Sequence, residues 1–156
     1  MTDWKDISQW RENNRLEAKK AQGGLPESIW ETYSAFANTE GGLILLGVGE
    51  NDADRGFYPV RLADPAQLLE EFWERVNDPA VVSENILSAD DARLVTAEGM
   101  PVVAIRVPKA TDAQRPVYIG TDPLTGSYWR SGDGDFRLAP DIVRGMLARR
   151  KEGPGR

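Results

Sequence analysis

The chain contains no cysteine and no histidine. The first absence excludes disulfides, thiol catalysis and Cys-ligated zinc. The second removes Ser/His and Cys/His dyads, and with them the commonest remaining zinc ligand. Any catalysis must run on carboxylates, Lys, Arg, Tyr or a hard metal ion. Long apolar runs are missing too. The longest, residues 43–48, is broken at Gly47 and falls far short of the roughly 20 residues that a membrane helix needs. The opening MTDWKDISQW has no apolar run flanked by basic residues, so a soluble, cytoplasmic protein without a signal peptide is expected. Positive charge is also in deficit, with 19 Lys and Arg against 25 Asp and Glu and a net charge of −6. That balance argues against coating nucleic acid by bulk charge, though it leaves room for a local basic groove.

What is present is enough for a core. Of 156 residues 40% are hydrophobic, including five Trp, four Tyr and four Phe, so bulk disorder is not expected. One domain over residues 1–150 is expected, with 151–156 as a flexible tail or the start of a linker. No internal repeat or low-complexity segment divides it. From Ala139 onward Arg144, Arg149, Arg150, Lys151 and Arg156 outweigh Asp141 and Glu152, a local +3.

Three helices follow from periodicity. Leu25, Ile29, Trp30, Tyr33, Phe36 and Ala37 share one helical face, with Pro26 in the first turn and Gly41-Gly42 as the stop. Asp64-Pro65 reads as an N-cap and first-turn proline, followed by the apolar face Leu68, Leu69, Phe72, Trp73 and Val76. A third helix starts near Pro140 and buries Ile142, Val143, Met146 and Leu147. A short helix over residues 7–11 is weaker. Strands are expected at 43–48, 92–97, 100–107, 116–119 and 127–130, with an alternating segment at 16–20. Residues 43–48 are apolar on both faces, so that strand should be central and covered on both sides. The mixture predicts an α+β (α/β) fold: a mixed β-sheet flanked by about three helices. Trp4, Trp10, Trp30 and Trp73 are most economically core or interface residues.

The chemistry-bearing residues concentrate between Glu12 and Glu50. Glu12 and Glu17 are five apart, so on one continuous strand they would point to opposite faces. They converge only if Asn13-Asn14 makes a turn, which Asn favours. Glu50 follows the apolar strand. Three clustered carboxylates repel unless a cation joins them, and magnesium or manganese, which takes carboxylates and phosphate, meets that need. Lys19, on the same strand face as Glu17, would then stabilise developing negative charge. The plainer alternative is solvated surface acid. Arg11, Arg15, Lys19 and Lys20 crowd one segment, and Tyr128-Trp129-Arg130 with Arg137 offers rings and guanidinium groups. Basic groups interleaved with aromatics suit phosphate contact and base stacking; exposed strand charge is the alternative. No G-x-x-x-x-G-K or G-x-G-x-x-G is present, so nucleotide binding has no motif.

Taken together, Glu12-x-x-x-x-Glu17-x-Lys19, Ala35-Phe36-Ala37-Asn38-Thr39-x-Gly41-Gly42, Gly47-Val48-x-Glu50, Tyr128-Trp129-Arg130-Ser131-Gly132 and Pro140-Asp141-Ile142 resemble the Schlafen AlbA-like domain family. The resemblance implies a DNA-binding or other nucleic-acid-binding domain, often the N-terminal part of proteins like transcriptional regulators, followed by an ATPase-like or winged-helix part. Its contacts would come from Arg15, Lys19, Lys20, Arg130 and Arg137. Related animal domains are metal-dependent endoribonucleases acting on tRNA or ribosomal RNA through three acids. Carried over, the acids are Glu12, Glu17 and Glu50, the last replacing an Asp, with Mg²⁺ or Mn²⁺ as cofactor and Lys19 beside them. Those nucleases join two lobes into a clamp, which a single lobe could form only as a homodimer. A domain that has kept the fold for protein interaction alone is the third expectation.

Overall fold

The computed structural model describes residues 2–152. Its main sheet has five strands: β1 (Asp3–Trp4), β2 (Leu16–Lys19), β3 (Gly42–Leu46), β6 (Ala92–Ala97) and β7 (Met100–Val107), in the order β1-β6-β7-β3-β2. β2 and β3 run parallel, joined by helix α1 (Ile29–Asn38), while β3, β7 and β6 alternate in direction. The sheet is therefore mixed and the fold α+β, as expected. β3 is interior in the sheet. It ends at Leu46, two residues short of the expected 48, where Gly47 takes φ +94° and re-aims the chain. β4 (Val48–Glu50) then leaves the sheet to pair with β5 (Phe57–Pro59).

Each face of β3 has its own cover. Ile44 and Leu46 join Val103 and Ile105 beneath α1 and α2 (Pro65–Val76), packed on Tyr33, Phe36 and Phe72. Leu45 faces the other way, into Ile7, Val48, Phe57, Val95 and Val102, with Trp4, Trp10 and Leu16 half-buried at the margin. Trp30 is a core residue, its indole stacked on Phe72 at 5.4 Å.

Local chemistry explains the well-marked elements. Asp64 accepts the Gln67 N–H at 3.0 Å with Pro65 at the first helical position, and Asn77 closes α2. Glu98 and Gly99 both take positive φ in the two-residue turn between β6 and β7. Elsewhere the structure departs from expectation. Residues 7–11 form a turn rather than a helix, with the Trp10 N–H on the Ile7 carbonyl. α1 begins at Ile29, leaving Leu25 and Pro26 in the preceding turns. Residues 116–119 make only isolated bridges, Tyr118 to Ser127 and Val82 to Ile119. A four-residue helix, α3 (Pro123–Gly126), precedes the hairpin of β8 (Tyr128–Ser131) and β9 (Gly134–Arg137). Helix α4 (Pro140–Glu152) buries Val143 and Met146 but leaves Ile142 half exposed. It runs two residues into the segment read as a tail; 153–156 lie outside the described residues.

Candidate functional site

The end of α1 shows what the Ala-Phe-Ala-Asn-Thr-x-Gly-Gly block does physically. Asn38 is buried, and its Nδ2 donates to the carbonyls of Val117 and Tyr128, each at 2.9 Å, while Oδ1 accepts the Val117 N–H. Ser34 Oγ donates to the Val117 carbonyl at 2.7 Å and accepts the Tyr128 N–H at 3.0 Å. Two helix side chains thus replace the ladder that residues 116–119 do not form. Thr39 Oγ1 accepts the Arg130 N–H at 2.9 Å. Gly41 takes φ +78° within 2.7 Å (from its Cβ position) of the Val107 carbonyl, and a Cβ on Gly42 would stand 2.7 Å from the Phe36 ring. The block is a staple between α1, the sheet and β8.

Arg130 completes that staple. Its guanidinium has no solvent exposure. Nη1 contacts Asp135 at 2.8 Å and Glu17 at 2.9 Å, Nε and Nη2 donate to the Asn13 carbonyl, and Nη2 also reaches that of Leu16. Asp135 in turn accepts the Thr32 hydroxyl at 2.7 Å, and the guanidinium carbon lies 4.9 Å from the Phe36 ring centroid. Burial alone would ease the Arg130 proton off, but Asp135 and Glu17 outweigh it and hold the group more firmly charged than usual. Arg130 is therefore not a surface contact for nucleic acid. It is the internal clamp on the N-terminal turn.

That turn is the expected one. The Asn13 and Leu16 backbones bond to each other and Asn13 Oδ1 accepts the Arg15 N–H at 2.7 Å. The reversal brings Glu12 back along the outer edge of β2, where Oε2 accepts the Ala18 N–H at 3.1 Å. Burial, then a hydrogen bond to Glu17, push the Glu12 carboxyl up to about 7; the Ala18 N–H opposes this, and the charges of Glu17 and Glu50 add to it. A hydrogen bond between two carboxyl groups needs a proton on one of them, so Glu12 and Glu17 form an acid pair.

The charges of Glu17 and Glu50 both reach Glu12, and both of those acids face a cation. Glu17 already faces Arg130 through Oε1 and Lys19, at 3.7 Å, through Oε2. Glu50 pairs with Arg55 at 3.4 Å. Among the described residues no three acidic side chains are disposed to hold a metal ion. Guanidinium and ammonium groups thus stand as counter-charges to Glu17 and Glu50. Lys19 is itself largely covered and donates to Ser28 Oγ at 3.1 Å, whereas Lys20 is exposed, beside Glu50 and Arg55 around a shallow cavity of about 290 Å³.

Arg15 and Arg137 remain in contact with solvent. Arg15 rides on the turn that Arg130 clamps; Arg137 sits opposite Tyr128, its Nε 3.4 Å from the phenol oxygen. Because side chains alternate along a strand, the hairpin that turns Arg130 and Asp135 inward turns their neighbours outward. Trp129 and Phe136 are paired across it, 40% and 52% exposed, with ring centroids 6.2 Å apart. The inward and outward alternation of Tyr128-Trp129-Arg130-Ser131 was the signal for this pair, while Asp135 and Thr32 had no sequence signal.

Among the described residues no helix is long and apolar enough to cross a membrane. No curated protein matches the chain. Among solved structures, the fold is similar to the DIP2311 protein from Corynebacterium diphtheriae, with TM-score 0.50 and 20% identity over 80% of this chain and 25% of that one. It is also similar to the N-terminal domain of an ATP-dependent DNA helicase RecG-related protein from Nitrosomonas europaea, with TM-score 0.59 and 28% identity over 82% of this chain and 85% of that one. The description of the Schlafen AlbA_2 family matches residues 11–139, which span every feature of the staple and the acid pair, and the chain belongs to that family.

Proposed function

We propose that this is a nucleic-acid-binding domain that stacks unpaired bases on Trp129 and Phe136 and holds the adjoining phosphates with Arg15, Lys20 and Arg137. The observation that carries the reading is the exposed ring pair. Most of the chain's large aromatics are covered, yet these two lie side by side on a hairpin whose inner face is fixed by Arg130. A rigid pair of rings loses little entropy on binding and accepts any base face. The exposed Arg15 and Lys20, and Arg137 next to Phe136 in sequence, supply phosphate contacts that the acidic total cannot. Family membership and the helicase-related name of a similar protein support the same partner.

The test is a titration of labelled single-stranded DNA and RNA against the protein and its Trp129→Ala and Phe136→Ala variants at two salt concentrations. Binding should weaken by about 1–3 kcal/mol per ring removed, roughly 5- to 150-fold, with salt lowering all affinities. Retention of wild-type affinity by both variants overturns the reading, as does absence of binding at low salt. Parallel incubations with Mn²⁺ or EDTA read the nuclease alternative, in which cleavage would require the metal and be lost in Glu17→Gln.

A further inference from the structure

A polar cavity lies on the other side of the hairpin from the exposed rings. It has a volume of about 450 Å³ and runs between the start of α1, the end of α2 and the base of β8 and β9. That size falls in the range of small-molecule sites, about 300–1,000 Å³. Two guanidinium groups line it, Arg75 and Arg137, together with Thr121, Thr125 and Tyr128. Arg137 makes no ion pair among the described residues; its partner is the Tyr128 hydroxyl, and the carboxylate of Glu31 acts on it only weakly. Arg75 is bridged by Glu27 at 3.1 Å, but the Glu27 side chain is 77% exposed. A bridge so open to water contributes little, about 0–1 kcal/mol, and an entering anion can replace it. The other acid in the lining, Asp122, is already occupied by the Leu124 N–H at 2.9 Å.

Trp30 forms part of the cavity wall and is 3% exposed, and its indole N–H is the one buried side-chain donor among the described residues without a partner. Arg75 lies over the same ring, 5.9 Å from its centroid. The cationic groups of the wall, Arg75 and Arg137, favour a ligand rich in acceptors. A dianionic phosphate has acceptors on every oxygen and matches the fork of an arginine.

From this we infer that the cavity is a phosphomonoester site, held by Arg75 and Arg137. The phosphate can be carried by the end of a nucleic-acid strand or by a free mononucleotide. In the first case the site deepens the proposed function: Arg137 adjoins Phe136 in sequence, so a strand anchored by its terminal phosphate turns over the edge of β9 onto the rings.

Three oligonucleotides of one sequence, carrying a 5′-phosphate, a 3′-phosphate or none, are titrated alongside a mononucleotide and inorganic phosphate. The proteins are the wild type, Arg137→Gln, Arg75→Gln and Trp129→Ala, with circular dichroism confirming each fold. One phosphorylated oligonucleotide should bind about tenfold more tightly than the unphosphorylated one. Arg137→Gln should abolish that ratio and Trp129→Ala should leave it intact. If phosphorylation changes nothing while Trp129→Ala weakens every oligonucleotide, and mononucleotide and phosphate give no Arg137-dependent signal, the phosphate site is overturned and the stacking surface stands. If the mononucleotide binds in an Arg137-dependent way but no oligonucleotide binds, the phosphate site stands with a free nucleotide as ligand, and the proposed function falls.

Discussion

Glu12 and Glu17 lie against each other at the edge of β2, one carboxyl group bonded to the other, with the Ala18 N–H closing the ring from the backbone side. The acid at position 12 keeps its proton up to about pH 7, against an ordinary value of 4.5. The folded chain therefore binds more protons than the unfolded chain between those values, and stability falls as pH rises through that window.

Replacing Glu12 by Gln should remove this pH dependence. The amide donates to Glu17 and accepts from Ala18 as the protonated acid does, and carries no charge to repel Glu50. Urea unfolding at pH 5 and pH 8 should show the parent losing about 1–2 kcal/mol over the interval, the group being partly open to water. The variant should hold level. A parent that gains stability on going to pH 8 contradicts the acid pair.

Loss of the Arg130 guanidinium should be severe. Arg130→Met leaves the carboxylates of Glu17 and Asp135 facing each other under the hairpin, with no cation between them. Removing one member of a buried ion pair costs about 3–5 kcal/mol. Arg130→Lys should recover only part of that, since an ammonium cannot reach two carboxylates and two carbonyls in one plane. Thermal unfolding measures both.

Asn38→Ala should destabilise by about 2–4 kcal/mol, because the Tyr128 carbonyl and the Val117 N–H lose their partner where water cannot replace it, and the Val117 carbonyl keeps only Ser34. Asn38→Asp should do no better, as a carboxylate offers nothing to either carbonyl. Chemical denaturation distinguishes these from Ser131→Ala, an exposed control expected to shift stability by less than about 0.5 kcal/mol.

Gly42→Ala forces a methyl group to within 2.7 Å of the buried Phe36 ring, and Gly41→Ala adds a left-handed backbone to a contact with the Val107 carbonyl. Each should cost about 1–3 kcal/mol or more. Gly99→Asn, also at positive φ but with open space around it, should be tolerated within about 1 kcal/mol.

Much of the scaffold could be read from local patterns, because the information was local. The α2 cap, the Glu98-Gly99 turn and the Asn13-Asn14 reversal each depend on neighbours a few residues away. The family block was recognisable, but its purpose was not: Asn38 serves backbone groups 79 and 90 residues further on. Arg130 looked like a surface contact because arginine is seldom fully buried, and its carbonyl partners at Asn13 and Leu16 lie 117 and 114 residues back. The return of Glu12 beside Glu17 was legible from the Asn13-Asn14 turn. Lys19 beside Glu17 followed from their strand spacing, whereas the Arg130 partnership, more than a hundred residues away in sequence, did not. Residues 116–119 read as a strand by composition, yet side chains of α1 took the bonds a neighbouring strand would have made.

The Arg130 clamp also has a mechanical meaning. One side chain near the end of the fold grips the loop near its beginning, so the two extremities of the domain cannot peel away independently. The contacts of Arg130 with Asn13, Leu16 and Glu17 tie β8 to the edge of the main sheet. The hairpin that carries the rings and the acid pair at the sheet edge are thereby joined through a single guanidinium.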